Sequence, residues 1–353
     1  MSTASNQHTL NACSALGDFL IRFTNGKEAS WDEQDAPFAK RLAALVTHSQ
    51  SHNGWHTPDQ VMHALKSWGE ALTSQNLSQW ISRYNLTAAN RKTVAVVMAG
   101  NIPLVGFHDF LCVLIAGHNA VVKLSSNDAL LLPFMADYLK AHDPALIGRI
   151  RFTEDRLGDF DAVIATGSNN TARYFEYYFK DKPSIIRKNR HSAAVLTGRE
   201  TQEELTALGE DIFRYFGLGC RNVSKLFVPR GYNFDQFFNA MFAYRDVVNY
   251  EKYANNYDYN KAVFLMSRFN ILDNGFMMVK EDTSYSSPIA TVFYEYYDSQ
   301  EDLGRRLMED AGQLQCLVSS GDFPDSFTFG QAQKPALWDY ADGVDTLEFL
   351  TQL

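Results

Sequence analysis

Cysteine, basic charge and glycine fingerprints are all scarce in this chain, and each shortage removes a class of function. Four cysteines occur in 353 residues, at positions 13, 112, 220 and 316. They lie far apart, with no Cys-x-x-Cys pair and no His/Cys cluster, so neither a disulfide scaffold nor a metal site is expected. That usage suits a reducing compartment, and the expectation is a cytoplasmic protein. Lys and Arg number 32 against 41 Asp and Glu, a formal charge of −9. Nonspecific nucleic-acid binding needs a basic surface and is not expected. No Gly-x-Gly-x-x-Gly is present, so an ordinary Rossmann dinucleotide site is not supported. Residues Met1 to His8 lack the basic stretch and apolar core of a signal peptide. The most apolar region, Val94 to Val122, is interrupted by Asn101, Pro103, His108, Asp109 and His118. It reads as a buried strand and helix, and no stable membrane insertion is expected. Internal repeats, low-complexity tracts and Pro/Gly/Ser-rich linkers are also missing.

What is there is the composition of a soluble globular protein, 46% hydrophobic and 21% charged. Residues 1–90 read as a helical layer. Leu10, Leu16, Phe19, Leu20 and Phe23 form a stripe at helical spacing, and Thr57-Pro58 reads as a helix start. From Thr93 the pattern becomes strand, helix, strand, helix. The strands are expected at Val94–Met98, Ala120–Lys123, Arg149–Thr153 and Asp161–Ala165. Helices are expected over Leu104–Ala116, Asp128–Ala141 and Asn169–Tyr178. That rhythm indicates parallel crossover units, whose ligands bind at the carboxyl ends of the strands. Asn101, Lys123 with Ser125, and Gly167 with Ser168 all fall at such ends. Further on come a strand at Ser192–Leu196, a helix over Thr201–Phe216 opened by a capping box, and a strand at Leu226–Pro229.

The chemistry is placed at Gly217-Leu-Gly-Cys220-Arg-Asn-Val-Ser-Lys225. A thiolate is the reactive form of cysteine, and the cations Arg221 and Lys225 would raise its fraction. Glycines 217 and 219 would allow a sharp turn. Taken by itself, the segment favours a buried structural cysteine after a helix cap. Asn101 by itself equally fits a turn asparagine, and Ser125 and Ser168 equally fit helix caps.

The ordered set of motifs resembles the aldehyde dehydrogenase superfamily, and within it the acyl-CoA reductases related to LuxC. Carrying the resemblance are Ala99-Gly-Asn101-Ile-Pro103, Val122-Lys123-Leu-Ser125, Thr166-Gly167-Ser168, Gly219-Cys220, and Lys280-Glu281 followed by Ser287-Pro288. The match runs from about residue 93 to 295. It implies an α/β, aldehyde-dehydrogenase-like fold, with a parallel-sheet cofactor domain, an α/β catalytic domain and the N-terminal helical layer. The expected division is 1–90 helical, 91–186 cofactor-binding, 187–330 catalytic and 331–353 a C-terminal segment. The resemblance implies Cys220 as nucleophile and Asn101 as oxyanion donor. It implies Lys123 on the adenosine ribose, Gly167 and Ser168 beside the cofactor, and Glu281 on the nicotinamide ribose.

Two departures refine the expectation. Aldehyde-oxidising members carry a Glu-Leu-Gly-Gly segment whose glutamate activates water. Here the corresponding stretch is Ile186-Arg187-Lys188-Asn189-Arg190-His191, without a carboxylate. His191 would then act as a proton donor, or contact CoA phosphates with Arg187 and Arg190; a basic surface turn is the equal alternative. Second, the chain leaves little room for the family's long bridging hairpin, and a homodimer is one expected assembly. The ribose-binding loop reads Lys123-Leu-Ser125-Ser126, where a glutamate would disfavour a 2′-phosphate, so NADPH is expected over NADH. The expected reaction reduces an acyl thioester, from acyl-CoA or acyl-carrier protein, to an aldehyde. The alternatives are an aldehyde-oxidising dehydrogenase and a catalytically silent binding protein of the same fold.

Overall fold

β-branched and small residues at Thr93–Val97 form β1, whose Val94, Ala95 and Val96 are buried, as suits a strand covered on both faces. The structure, a computed structural model, describes residues 2–26, 31–86, 90–321 and 323–353. The chain divides into two compact units, Met1–Lys188 with Ala336–Leu353, and Asn189–Pro335.

The first unit opens with helices α1 (Ser2–Thr24), α2 (Ala36–His52), α3 (Pro58–Ala71) and α4 (Ser74–Ile81). Leu10, Leu16, Phe19 and Leu20 are buried along one face of α1. The α3 start is capped as expected, with Thr57 accepting the Gln60 N–H and Pro58 in the first turn. Then follow β1, α5 (Phe107–Ile115), β2 (Asn119–Lys123), α6 (Leu131–His142), β3 (Ile150–Phe152), β4 (Ala162–Thr166), α7 (Asn169–Tyr178) and β5 (Ser184–Arg187). The strands pair in the order β3-β2-β1-β4-β5, all parallel. Strand order reverses between β1 and β4, and the crevice at such a reversal is where open α/β sheets take ligands.

Residues Ala336–Leu353, ending in α12 (Thr346–Thr351), complete this unit. Leu337, Leu347 and Leu350 are buried, and the Trp80 indole donates to the Tyr340 hydroxyl at 2.7 Å. Arg187 joins the segment to the sheet. Its guanidinium forks onto Asp109 at 2.7 and 3.0 Å and also donates to Thr346 Oγ1 at 2.8 Å. Burial works against both charges, yet each holds the other ionised: Arg187 lies above its ordinary range and Asp109 below. Deleting one partner would strand the other's charge in the core, at about 3–5 kcal/mol.

The second unit contains β6 (His191–Val195), α8 (Gln202–Phe213), β7 (Val223–Pro229), α9 (Phe234–Met241), α10 (Glu251–Met266), β8 (Ile271–Asp273), β9 (Met278–Glu281), β10 (Thr291–Tyr297), α11 (Gln300–Glu309) and β11 (Leu314–Val318). Its sheet runs β11-β6-β7-β10-β9-β8, parallel except for β8. The Thr201/Glu204 capping box opens α8 as the spacing predicts.

Several element ends differ from the sequence expectation, each for a local reason. Helix α5 begins at Phe107, not Leu104, because Leu104 takes a left-handed φ of 59°. Asp128 accepts the Leu104 N–H at 2.8 Å, which turns Asp128 inward and delays α6 to Leu131. Helix α8 stops at Phe213, because Tyr215 and Phe216 are left-handed, with φ of 53° and 57°. Strand β5, a four-residue piece directly after Pro183, carries too little pattern to be foreseen.

Candidate active site

In the first unit, the expected cofactor residues converge on the carboxyl edge of the parallel sheet. Val97 at the end of β1 is in register with Lys123 of β2 and Ala165 of β4, so the three following loops are neighbours. Asn101 is exposed on the first, Ser126 is exposed on the second with Ser125 half-buried, and Ser168 is exposed on the third. Gly100 is required by the close approach of the first two: a Cβ there would lie 2.6 Å from Ser125 Oγ. Ser125 is not a helix cap; its hydroxyl accepts the Asn127 N–H at 3.2 Å and shapes the turn itself. Ser168 does cap α7, accepting the Thr171 N–H at 3.2 Å, while the Gly167 N–H donates to the Arg187 carbonyl at 3.2 Å. Lys123 Nζ donates to a carbonyl, that of Asp155, at 3.1 Å.

The donor set suits an anionic nucleotide. The Lys123 ammonium at the end of β2, the Ser125 and Ser126 hydroxyls just after it and the Ser168 hydroxyl after β4 all stand at the sheet's carboxyl edge. The neighbouring carboxylate of Asp128 is buried, its oxygen engaged by Leu104 and its acidity weakened by burial to a pKa of about 7.

In the second unit, Cys220 is exposed, whereas Cys13, Cys112 and Cys316 are buried. The bland reading of Cys220 as a core cysteine is thereby excluded. Its loop follows a backbone that turns left-handed at Tyr215, Phe216 and Gly217, the last with φ of 77°. Non-glycine residues in that region store strain and persist only where surroundings hold them. Asn222 supplies the hold. Only 3% exposed, it accepts the Gly219 N–H at 2.7 Å and donates to the carbonyls of Asp211 and Arg214 at 3.1 and 2.7 Å. One amide thus closes the loop and satisfies the C-terminal carbonyls of α8. Ser192 fastens the other side, donating to the Cys220 carbonyl at 2.9 Å, with Cys316 Sγ 3.0 Å from its hydroxyl. Sequence reasoning did not single out Asn222 or Ser192. The spacing Gly219-x-x-Asn222, typical of a side chain closing a turn, was the available signal.

The flanking cations divide. Lys225 is fully buried and bound to Glu295 at 3.0 Å, with burial lowering its pKa. It serves the sheet interior and is not the activating cation expected beside Cys220. Arg221 is half-buried, its guanidinium 5.2 Å from the Phe327 ring centroid. His191 stands half-buried at the start of β6, next to Ser192, and burial lowers its pKa. Arg187 belongs to the buried ion pair described above, and Arg190 Nη1 donates to the carbonyls of Ala311 and Leu314 at 3.1 and 3.0 Å. Of the expected phosphate contacts, Arg187 is closed off in the buried ion pair, and Arg190 Nη1 is engaged at the β11 entry. Glu281 is exposed at the end of β9, in register with Tyr294 and through it with Leu226. That is well along β7, away from the amino-end cluster of His191, Ser192 and Cys220.

Among the described residues, no group of side chains could hold a metal ion, and no helix is long and apolar enough to cross a membrane.

No family model matches the sequence, and no curated protein matches it. Solved structures do match the fold. An indole-3-acetaldehyde dehydrogenase in complex with NAD+ aligns at a TM-score of 0.58 and 13% identity, over 94% of this chain and 79% of that one. A Bacillus cereus aldehyde dehydrogenase in complex with NAD+ aligns at 0.57 and 13%, covering 88% and 72%. A Mycobacterium tuberculosis aldehyde dehydrogenase complexed with NAD+ aligns at 0.58 and 12%, covering 92% and 76%. The chain has the aldehyde dehydrogenase fold, an α/β architecture with one parallel and one mixed sheet. At these identities the likeness is one of fold.

Proposed function

We propose that this protein is an NADPH-dependent reductase that converts an acyl thioester, acyl-CoA or acyl-carrier protein, to an aldehyde through a Cys220 thioacyl-enzyme. One observation carries the reading. An exposed cysteine sits on a loop fixed by Asn222 and Ser192, and the Ile186–His191 stretch entering β6 holds no carboxylate. A nucleophile is therefore presented without the base that would direct water onto an acyl-enzyme. Asp211 is not a substitute: it is 0% exposed and receives the N–H groups of Gly330 and Ala332.

In this reading the Cys220 thiolate attacks the thioester carbonyl, forming a C–S bond. The tetrahedral oxyanion, steadied by the Asn101 amide and the Cys220 N–H, collapses and expels the carrier thiolate, which takes up a proton. The cofactor, when bound, supplies the hydride. Hydride added to the thioacyl carbonyl would leave a Cys220-bound thiohemiacetal oxyanion, whose collapse breaks the C–S bond and releases aldehyde with the Cys220 thiolate regenerated. Lys123, Ser125 and Ser126 would hold the ribose phosphate, and Gly167 and Ser168 the adjoining cofactor edge, whereas the place of Glu281 far along β9 from Cys220 does not suit the nicotinamide ribose. Mass spectrometry of the intact protein after incubation with acyl-CoAs and no cofactor tests the first half. A mass increase equal to one acyl group, localised to Cys220, is expected; its absence across short and long chains would rule the reading out.

Cofactor choice gives a second test. Ser126 is exposed and neutral where a carboxylate would repel a 2′-phosphate. Unit charges about 4 Å apart at intermediate dielectric interact by about 4 kcal/mol. NADPH should therefore exceed NADH in kcat/KM, and Ser126→Glu should reverse that order. An NADH preference in the unaltered protein would contradict the assignment.

A further inference from the structure

The helical layer ahead of the sheet reaches the cofactor loops through one short connection. Helix α2 ends at His52, and Asn53 leaves it with an extended backbone, φ −134° and ψ 111°. The orientation of the Asn53 amide is fixed by its neighbours. Oδ1 accepts the Trp55 N–H at 3.0 Å, so Nδ2 points the other way, donating to the Asn127 carbonyl at 3.1 Å and the Gly100 carbonyl at 3.4 Å. His52 adds a third bond, with Nε2 2.8 Å from the Ser126 carbonyl. A carbonyl only accepts, so Nε2 carries the proton.

Three distant stretches, 52–53, 100–104 and 125–128, thus form one node. Inside it, Ser125 packs against Gly100 and Asp128 holds the strained Leu104. The His52 and Asn53 side chains both bond to backbone carbonyls of the turn whose hydroxyls would meet the ribose phosphate. The strand ends at Lys123, and beyond it the turn is held by its own bonds, by the Asp128–Leu104 contact and by these two side chains.

We propose that His52 and Asn53 are positioning residues for the dinucleotide: the N-terminal layer sets the placement of the Ser125–Asn127 turn and so the affinity for the cofactor's ribose phosphate. This inference rests on the cofactor reading above. It gives the helical layer a functional task beyond covering the sheet.

Titrating NADPH and NADH into the full chain, by nucleotide fluorescence, tests it without turnover. His52→Ala and Asn53→Ala should each weaken NADPH about five- to tenfold, the effect of one lost hydrogen bond. NADH should weaken less, because the turn's hydroxyls have no 2′-phosphate to meet. His52→Gln, which keeps a donor, should recover most of the loss. His52 is exposed, so its variants should melt within a few degrees of the parent. Unchanged NADPH affinity in both alanine variants, with the parent binding normally, overturns the inference alone. Equal loss for both nucleotides with lowered melting and no rescue by glutamine also overturns it, showing a structural contact only. A parent that binds neither nucleotide overturns the cofactor reading itself.

Discussion

Cys220→Ser is expected to abolish the acyl adduct and aldehyde formation while leaving NADPH affinity within about twofold of the parent, since the residues proposed for the ribose phosphate belong to the first unit. A serine hydroxyl at neutral pH needs an adjacent base to become nucleophilic. The neighbouring His191 is half-buried at a strand start, and the stretch before it carries no carboxylate. The loop should survive the change, because Ser192 holds the backbone carbonyl of residue 220 and Asn222 holds the N–H of Gly219. Loss of activity will therefore report chemistry. Thiol alkylation gives the matching control in the unaltered protein. Burial pushes Cys13 up to about 12 and Cys316 to about 11, and raises Cys112 as well. A limiting alkylating agent should accordingly modify Cys220 first and prevent acylation. Reduction persisting in the serine variant, or first labelling at Cys316, would mean that the nucleophile is elsewhere.

The parallel sheet was legible because its strands are buried on both faces. Val94–Val97 and Ala162–Ala165 are short apolar runs rich in β-branched residues, too short for helices and spaced by helical stretches. Loop-end positions of Asn101, Lys123 and Gly167 follow from the sheet and were equally legible. Element ends were not. Leu104 and Phe216 have apolar side chains that continue a helical stripe, and their left-handed backbones are imposed from outside. Asp128 imposes the first through a buried carboxylate, and the Asn222 loop accompanies the second. The first is a contact across 24 residues and the second a side-chain bond back across eight, and periodicity contains neither.

The cations beside Cys220 show the same limit in another form. On paper Arg221 and Lys225 look alike, one and five residues beyond the thiol. Position separates them: Arg221 stays on the loop, whereas Lys225 lies within β7, buried, with its ammonium on Glu295 of the neighbouring strand β10. The run Arg187–Arg190 divides similarly, with Arg187 drawn into the core by Asp109 and Lys188 paired with Glu176 at 2.6 Å. Charge counted along a sequence overstates what reaches solvent whenever a partner carboxylate is buried nearby.

Asn101→Ala is expected to lower kcat roughly a hundredfold, or about 2.7 kcal/mol, with a much smaller change in KM. The side chain is exposed at the carboxyl end of β1, on a loop whose path is held at Gly100 by Asn53 and at Leu104 by Asp128. Removing the amide subtracts a donor from a loop that is also held at those two points. An amide is neutral at all working pH values, so its contribution appears only as negative charge grows on the substrate oxygen. That is a transition-state effect and belongs in kcat. Asn101→Asp separates this role from a structural one. The carboxylate is nearly the same shape, so a turn asparagine would tolerate it better than alanine. An oxyanion donor would tolerate it worse, because a second negative charge would face the developing one. Single-turnover acylation of Cys220 measured for both variants decides the matter: aspartate slower than alanine supports the oxyanion role. Near-normal acylation in the alanine variant, accompanied by a lowered melting temperature, would leave Asn101 as a residue of the turn alone.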